Sequence, residues 1–257
     1  MPDFIANVKR WRERAKIDFF AEFVKAWIPF NAWYNQSYAR ANSDREVINE
    51  IKRDSCIKTK IKHLLEDTDE TGNDFRNHIA RFHRLLEDLE LKNNELSVNF
   101  TNVVIERNNN DNEGYEVRGI TYRALFDKNQ KKYIATITNS VGEKILNYSK
   151  DVYLYSDFEQ QVNSSDISET QKGHIKGVYK KINPLVPINL ITADDECICI
   201  NNYKFVKDTD KLSQAIIENI YSLRCMLFHG SIEPTEDTEK LYETAYYILK
   251  YMLCAIN

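Results

Sequence analysis

Apolar residues recur every three to four positions through the first forty residues: Phe4, Val8, Trp11, Ala15, Phe19, Phe23, Trp27 and Phe30. That spacing lays them along one stripe of a long amphipathic helix facing a core. Pro29 lacks a backbone donor and crowds the preceding turn, so it is expected to kink or interrupt the helix, with Phe30–Tyr34 resuming the pattern. The same period predicts a second helix over 44–66, with Val47, Ile48, Ile51, Ile57, Ile61 and Leu64 on its apolar side. A third is predicted over 73–92 on Phe75, Ile79, Phe82, Leu85, Leu86 and Leu89, and the acidic stretch 66–73 parts the two.

From Ser97 to about Phe158 the period changes to two. Ile120, Tyr122, Ala124 and Phe126 alternate with polar residues, as do Tyr133, Ala135 and Ile137. Such alternation predicts antiparallel strands, with a hairpin turn at Asp127–Gln130 and a flexible polar loop at 108–114, NNNDNEG. Helix returns over 166–182 and stops at NPLVP. An extended stretch follows over 188–206, and two helices close the chain at 210–229 and 236–256. The last is apolar over much of its circumference, as in a central core helix or a subunit interface. The pattern as a whole predicts a mainly α protein. Its helical core is built from 1–96 and 159–257 as an up-and-down bundle, and 97–158 is a small, β-rich, antiparallel insertion.

Composition narrows the function classes. The chain has 257 residues, 42% apolar and 29% charged, enough for one large domain or two small ones. A formal charge of -4 excludes a generally basic surface, so any nucleic-acid contact must come from a local patch. Two basic clusters are candidates for contacts to an RNA backbone: KRWRERAK, with Lys9, Arg10 and Arg12, and QKGHIKGVYKK, with Lys176, Lys180 and Lys181. Most such runs are merely the solvated side of a helix, and that is the simpler reading of both. No apolar run approaches the roughly 20 residues of a membrane helix, and charges stand where a signal peptide needs its apolar stretch. A cytoplasmic protein with reduced thiols is expected, without membrane contact.

Cys197 and Cys199, in ECICIN, alternate onto one face of what reads as a buried strand. Only one residue separates them, whereas metal pairs usually have two or more, so neither a metal nor a cofactor is expected. There is no Gly-rich phosphate loop, Gly-x-Ser-x-Gly elbow or His-Glu-x-x-His.

The most informative stretch is Ile220–Ser231, IYSLRCMLFHGS, at the end of an amphipathic helix with Gly230 suited to cap it. Arg224 and His229 lie about 140° and about 7.5 Å apart on an ideal helix. An imidazole that moves protons and a guanidinium that holds a phosphate suit metal-free RNA cleavage. Spacing alone carries little weight. With thirteen arginines and five histidines, a permissive pattern of this type is expected about once by chance, and it recurs at Arg76 and His83.

LRCMLFHG resembles the C-terminal signature of the HEPN superfamily, particularly its Apea-like branch. WIPFNAWYN, Trp27–Asn35, resembles the Phe-Asn-x-x-Tyr signature of that branch's early helix. The match covers 1–95 and 165–257 loosely and some twenty residues sharply. The resemblance implies a HEPN-type helical bundle interrupted by the β insertion. It also implies a metal-independent RNA endonuclease that leaves 2′,3′-cyclic phosphate ends and needs no cofactor. Arg224 and His229 map onto the catalytic pair, with Asn31 and Tyr34 supporting them. The expected partners are RNA, a second copy of the chain completing a composite cleft, and an antitoxin or phage-defence partner. Catalytic HEPN motifs often carry a polar residue, commonly asparagine, one or two positions after the arginine; here those places hold Cys225 and Met226. The alternative is a non-catalytic HEPN module that binds nucleic acid, nucleotide or a partner protein.

Overall fold

The computed structural model describes Ile5, Val8 and residues 16–93, 96–105 and 108–256. These form eight helices and eight strands: α1 (Phe19–Ser37), α2 (Asp44–Arg53), α3 (Cys56–Glu66), α4 (Glu70–Leu89), β1 (Lys92–Asn93), β2 (Leu96–Ser97), β3 (Asn112–Val117), β4 (Ile120–Asp127), β5 (Lys132–Thr138), β6 (Lys144–Lys150), α5 (Tyr155–Ser164), α6 (Glu169–Lys181), β7 (Cys197–Ile200), β8 (Tyr203–Val206), α7 (Thr209–Phe228) and α8 (Glu236–Leu253). The strands make three antiparallel sheets, one of four strands and two of two. The fold is therefore mixed α and β, which corrects the mainly α up-and-down bundle expected from the sequence. Among the described residues no helix is long and apolar enough to cross a membrane.

The chain divides into two compact units, Met1–Ile105 with Pro187–Asn257, and Glu106–Val186. In the first unit α7 is the most enclosed element, with every residue from Leu212 to Leu223 buried. Two of its buried polar side chains are held by hydrogen bonds, as burial demands. Gln214 Nε2 donates to Asp210 Oδ2 (2.8 Å) and Asn219 Nδ2 to the Asn99 carbonyl (3.2 Å). Helix α8 packs against α1 and α4. Its Tyr242 ring meets Phe23 edge-on at 5.2 Å, and its hydroxyl donates to the Leu223 carbonyl of α7 at 2.8 Å. The chain leaves and re-enters this unit through a bridge between Val103 and Ile188, with amide-to-carbonyl distances of 3.1 and 2.9 Å.

Two helix expectations change in detail. The stretch 44–66 is two helices, because Asp54 is extended and Ser55 serves both ends of the break. The Ser55 hydroxyl accepts from the Lys58 amide (3.0 Å) and donates to the Ile51 carbonyl (2.8 Å). Helix α1 runs through Pro29 without interruption. Pro29 lies on its exposed side, where solvent can take the carbonyl that the proline leaves without a donor.

The second unit is a β3-β4-β5-β6 meander with α5 and α6 supplying its core. Alternate residues point into that core: Tyr122 and Ala124 from β4, paired with Ile137 and Ala135 of β5, then Leu146 and Tyr148 of β6. Phe158 of α5 stacks on Tyr179 of α6 with ring centroids 4.0 Å apart. This unit takes in more chain than the alternating stretch 97–158. The helix expected at 166–182, assigned to the helical core in the sequence reading, packs here instead. The Asn-rich stretch at 108–114 is not all loop: β3 starts at Asn112, and Asn108 Nδ2 donates to the Lys181 carbonyl at 2.7 Å.

Candidate active site

Helix α7 ends as its sequence predicts. Gly230 has φ +66°, and its amide donates to the Leu227 carbonyl (3.1 Å). The Ser231 amide reaches back to the Met226 carbonyl (2.9 Å), the paired bonds of a glycine-capped helix terminus. His229 is the cap residue, one position beyond the last helical residue. Its amide bonds the Cys225 carbonyl at 3.0 Å, and the residue is exposed.

Arg224 sits one turn earlier, with 19% of its side chain exposed. Its guanidinium lies 4.7 Å from the Phe228 ring centroid and 5.7 Å from that of Trp27, and Nη2 is 3.2 Å from Asp44 Oδ2. His229 is not among these partners. Trp27 and Tyr34 lie on one stripe of α1, with centroids 6.3 Å apart; Asn31, half-buried, stands between them on that stripe. The Tyr34 hydroxyl is pushed well above its usual pKa, first by burial and then by the Asp44 carboxylate, with Arg224 opposing. No hydrogen bond of good geometry closes on that hydroxyl, nor on the buried Trp27 Nε1 and Arg224 Nε. Thus three unpaired polar atoms belong to one cluster around one guanidinium. An unpaired buried polar atom costs roughly 1–3 kcal/mol, so native folds keep few.

Ion pairs from both ends of α2 hold it to α7. Beside Asp44, Arg45 Nη1 donates to both carboxylate oxygens of Glu218, at 2.7 and 2.9 Å, and its guanidinium lies over the Tyr221 ring at 4.5 Å. Lys52 Nζ reaches the same carboxylate at 2.6 Å, with both side chains nearly enclosed. Cys225 stands at a place where HEPN motifs often carry a polar residue. It interacts with the Tyr221 hydroxyl, whose pKa is raised by burial first and by Cys225 second. Sequence reasoning missed Asp44, Arg45, Glu218 and Phe228. An aspartate after a Ser N-cap reads only as an ordinary helix-start residue.

Lys9, Arg10 and Arg12 lie outside the described residues. Lys176, Lys180 and Lys181 belong to α6 of the second unit. Lys176 is 3.2 Å from Glu159 and Lys181 2.9 Å from Glu113, while Lys180 lies over the Tyr155 ring at 4.9 Å. The second Arg/His pattern is structural. Arg76 donates to the Leu64 and Leu65 carbonyls at the end of α3 (3.3 and 3.2 Å). His83 is buried among the rings of Phe100, Tyr203 and Phe205. His78 is half-buried and stacks on Tyr247 at 4.9 Å.

Fold and site together define a two-unit α and β protein with an ion-paired arginine in an aromatic setting on a helix capped by an exposed histidine. Comparison with family models, curated proteins and solved structures finds no match to this chain.

Proposed function

We propose that the chain is a metal-independent RNA endonuclease that uses the Arg-x4-His motif of the HEPN superfamily and acts in the cytoplasm in phage defence or a toxin–antitoxin pair. The observation that carries this reading is the polar cluster around Arg224, a guanidinium, an indole N–H and a phenol with unpaired atoms, on the helix whose exposed cap residue is His229. Arg224 holds the non-bridging oxygens of the scissile phosphate. His229 takes the proton of the 2′-hydroxyl as its oxygen bonds to phosphorus. The bond to the 5′ oxygen breaks, that oxygen takes the proton from the imidazolium so formed, and a 2′,3′-cyclic phosphate remains. Asn31 and Tyr34 support the arginine from α1. A second copy of the chain brings another motif to the same cleft.

The test is incubation of purified protein with RNA in EDTA, comparing wild type with Arg224→Ala and His229→Ala. Cleavage is expected in wild type alone. Cleavage that persists in both variants, or that requires a divalent metal, overturns the assignment. A strict monomer by light scattering at micromolar concentration removes the composite cleft. The Arg224–Asp44 ion pair favours a second reading, a non-catalytic module whose arginine is already neutralised. In that case no RNA is cut by wild type or by Asp44→Asn, yet RNA, nucleotide or a partner protein is bound.

A further inference from the structure

We propose that Phe228 is a stacking platform for an unpaired base: one nucleobase of a single-stranded RNA lies on its ring while the adjoining phosphate takes the Arg224 guanidinium. The inference rests on the RNA-cleaving role proposed for the motif, and it names the substrate class, an unpaired strand, with the residue that selects it. Phe228 is 52% exposed, the most exposed aromatic side chain among the described residues. Its neighbours serve the core: Met226 is buried and Leu227 packs against it. Tyr115, the other exposed aromatic, is 38% exposed and has a polar partner in His174. Phenylalanine has no polar group to satisfy, so a ring left in water forgoes free energy that burial would return.

The geometry gives that ring a use. Arg224 and Phe228 are four residues apart and share one face of α7. The guanidinium sits over the ring, 4.7 Å from its centroid. A cation over one face leaves the opposite face and the edge to account for the exposure, and an aromatic face is what an unpaired base stacks on. Base and phosphate of one nucleotide are joined through a single ribose, so one nucleotide can span a ring and a guanidinium this close.

Charge makes stacking matter here. Arg224 is shared with Asp44 and Arg45 with Glu218, so attraction of these cations to a phosphate backbone is offset, and stacking supplies a larger share of the binding. A base inside a duplex has both faces covered by its neighbours, so the platform admits only an unpaired one. Phenylalanine carries no donor or acceptor for a base edge. Selection is therefore for strandedness, and base identity counts for little.

The test uses a short fluorescein-labelled 2′-fluoro RNA, which lacks the attacking hydroxyl and cannot be cut, with binding read by fluorescence anisotropy in EDTA. Phe228→Leu keeps apolar bulk without a π face and is expected to weaken binding about tenfold, the order of one lost base stack. Phe228→Trp is expected to bind at least as tightly as wild type. On an abasic strand of equal charge, wild type and Phe228→Leu are expected to bind alike. Equal affinity of wild type and Phe228→Leu for the base-bearing strand overturns the proposal. So does the same loss on the abasic strand, no binding by wild type, or a loss that accompanies a changed oligomeric state in light scattering. Because the probe is uncleavable, the two readings fail separately. Stacking without any RNA cleavage removes the catalysis and keeps the platform, whereas cleavage with no effect of Phe228→Leu on binding removes the platform alone.

Discussion

Gly230 offers the sharpest test of the geometry that presents His229. A Cβ built on Gly230 meets nothing within 4 Å, so Gly230→Ala introduces no clash and its cost is conformational alone. At φ +66° an L-side chain costs about 1–2 kcal/mol. Stiffening the unfolded chain returns about 0.4–1 kcal/mol. The balance is a destabilisation centred near about 0.8 kcal/mol and at most about 1.6 kcal/mol, or a Tm lower by up to about 6 °C for a unit of this size. D-alanine at the same place pays no such penalty and keeps the unfolded-state gain, so it should raise Tm by a similar amount.

The native Cys225 allows the D-alanine chain to be made by ligating a synthetic peptide that begins there. Trp11, Trp27 and Trp33 all fall in the first unit, so their fluorescence reports its melting. The L- and D-alanine chains share every atom and differ only in handedness. Opposite shifts in Tm are therefore the signature of a left-handed cap. If L-alanine raises Tm, or D-alanine lowers it, the cap does not have this geometry. Under the proposed function, RNA cleavage should fall in the L-alanine chain and survive in the D-alanine chain.

Two further outcomes follow from the same unit. Glu218→Leu removes the carboxylate that Lys52 and Arg45 share inside it, and breaking a buried pair from one side costs about 3–5 kcal/mol. Urea unfolding followed by fluorescence should show that loss as a lower midpoint, and a change below about 1 kcal/mol would refute it. Burial lowers the pKa of His83 below 6.5, and burial also lowers that of His78. Both are neutral in the fold and take up protons on unfolding. Stability is thus complete above about pH 6.5 and declines as pH falls from there through the depressed native values. His83→Phe should flatten the decline between pH 7 and 5 without abolishing it, because His78 remains; an unchanged slope would show that His83 contributes nothing.

Periodicity made much of the fold legible. The stripe of Phe23, Trp27 and Phe30, the alternation of Tyr122, Ala124, Ala135 and Ile137, and the glycine that ends α7 are all readable from local pattern. What local pattern cannot carry is which partner an element chooses. The helix at 166–182 has an apolar side that fits a helix or a sheet equally well, and it covers the sheet. The break at Ser55 depends on one hydroxyl serving two helix ends, a bond that hydrophobic spacing does not record.

The same limit applies to the site. Arg76/His83 and Arg224/His229 are near-equivalent as spacings, and only their surroundings separate them. Arg76 has its donors on the carbonyls at the end of α3, and His83 is enclosed by three rings, so neither is available to a ligand. Arg224 keeps Nε unpaired, beside an indole and a phenol in the same condition, and His229 is exposed. His83 also leaves its buried Nδ1 without a hydrogen bond, so unused capacity alone does not separate the two patterns; what does is that Arg224 shares it with two neighbouring side chains and that the histidine of its motif is exposed.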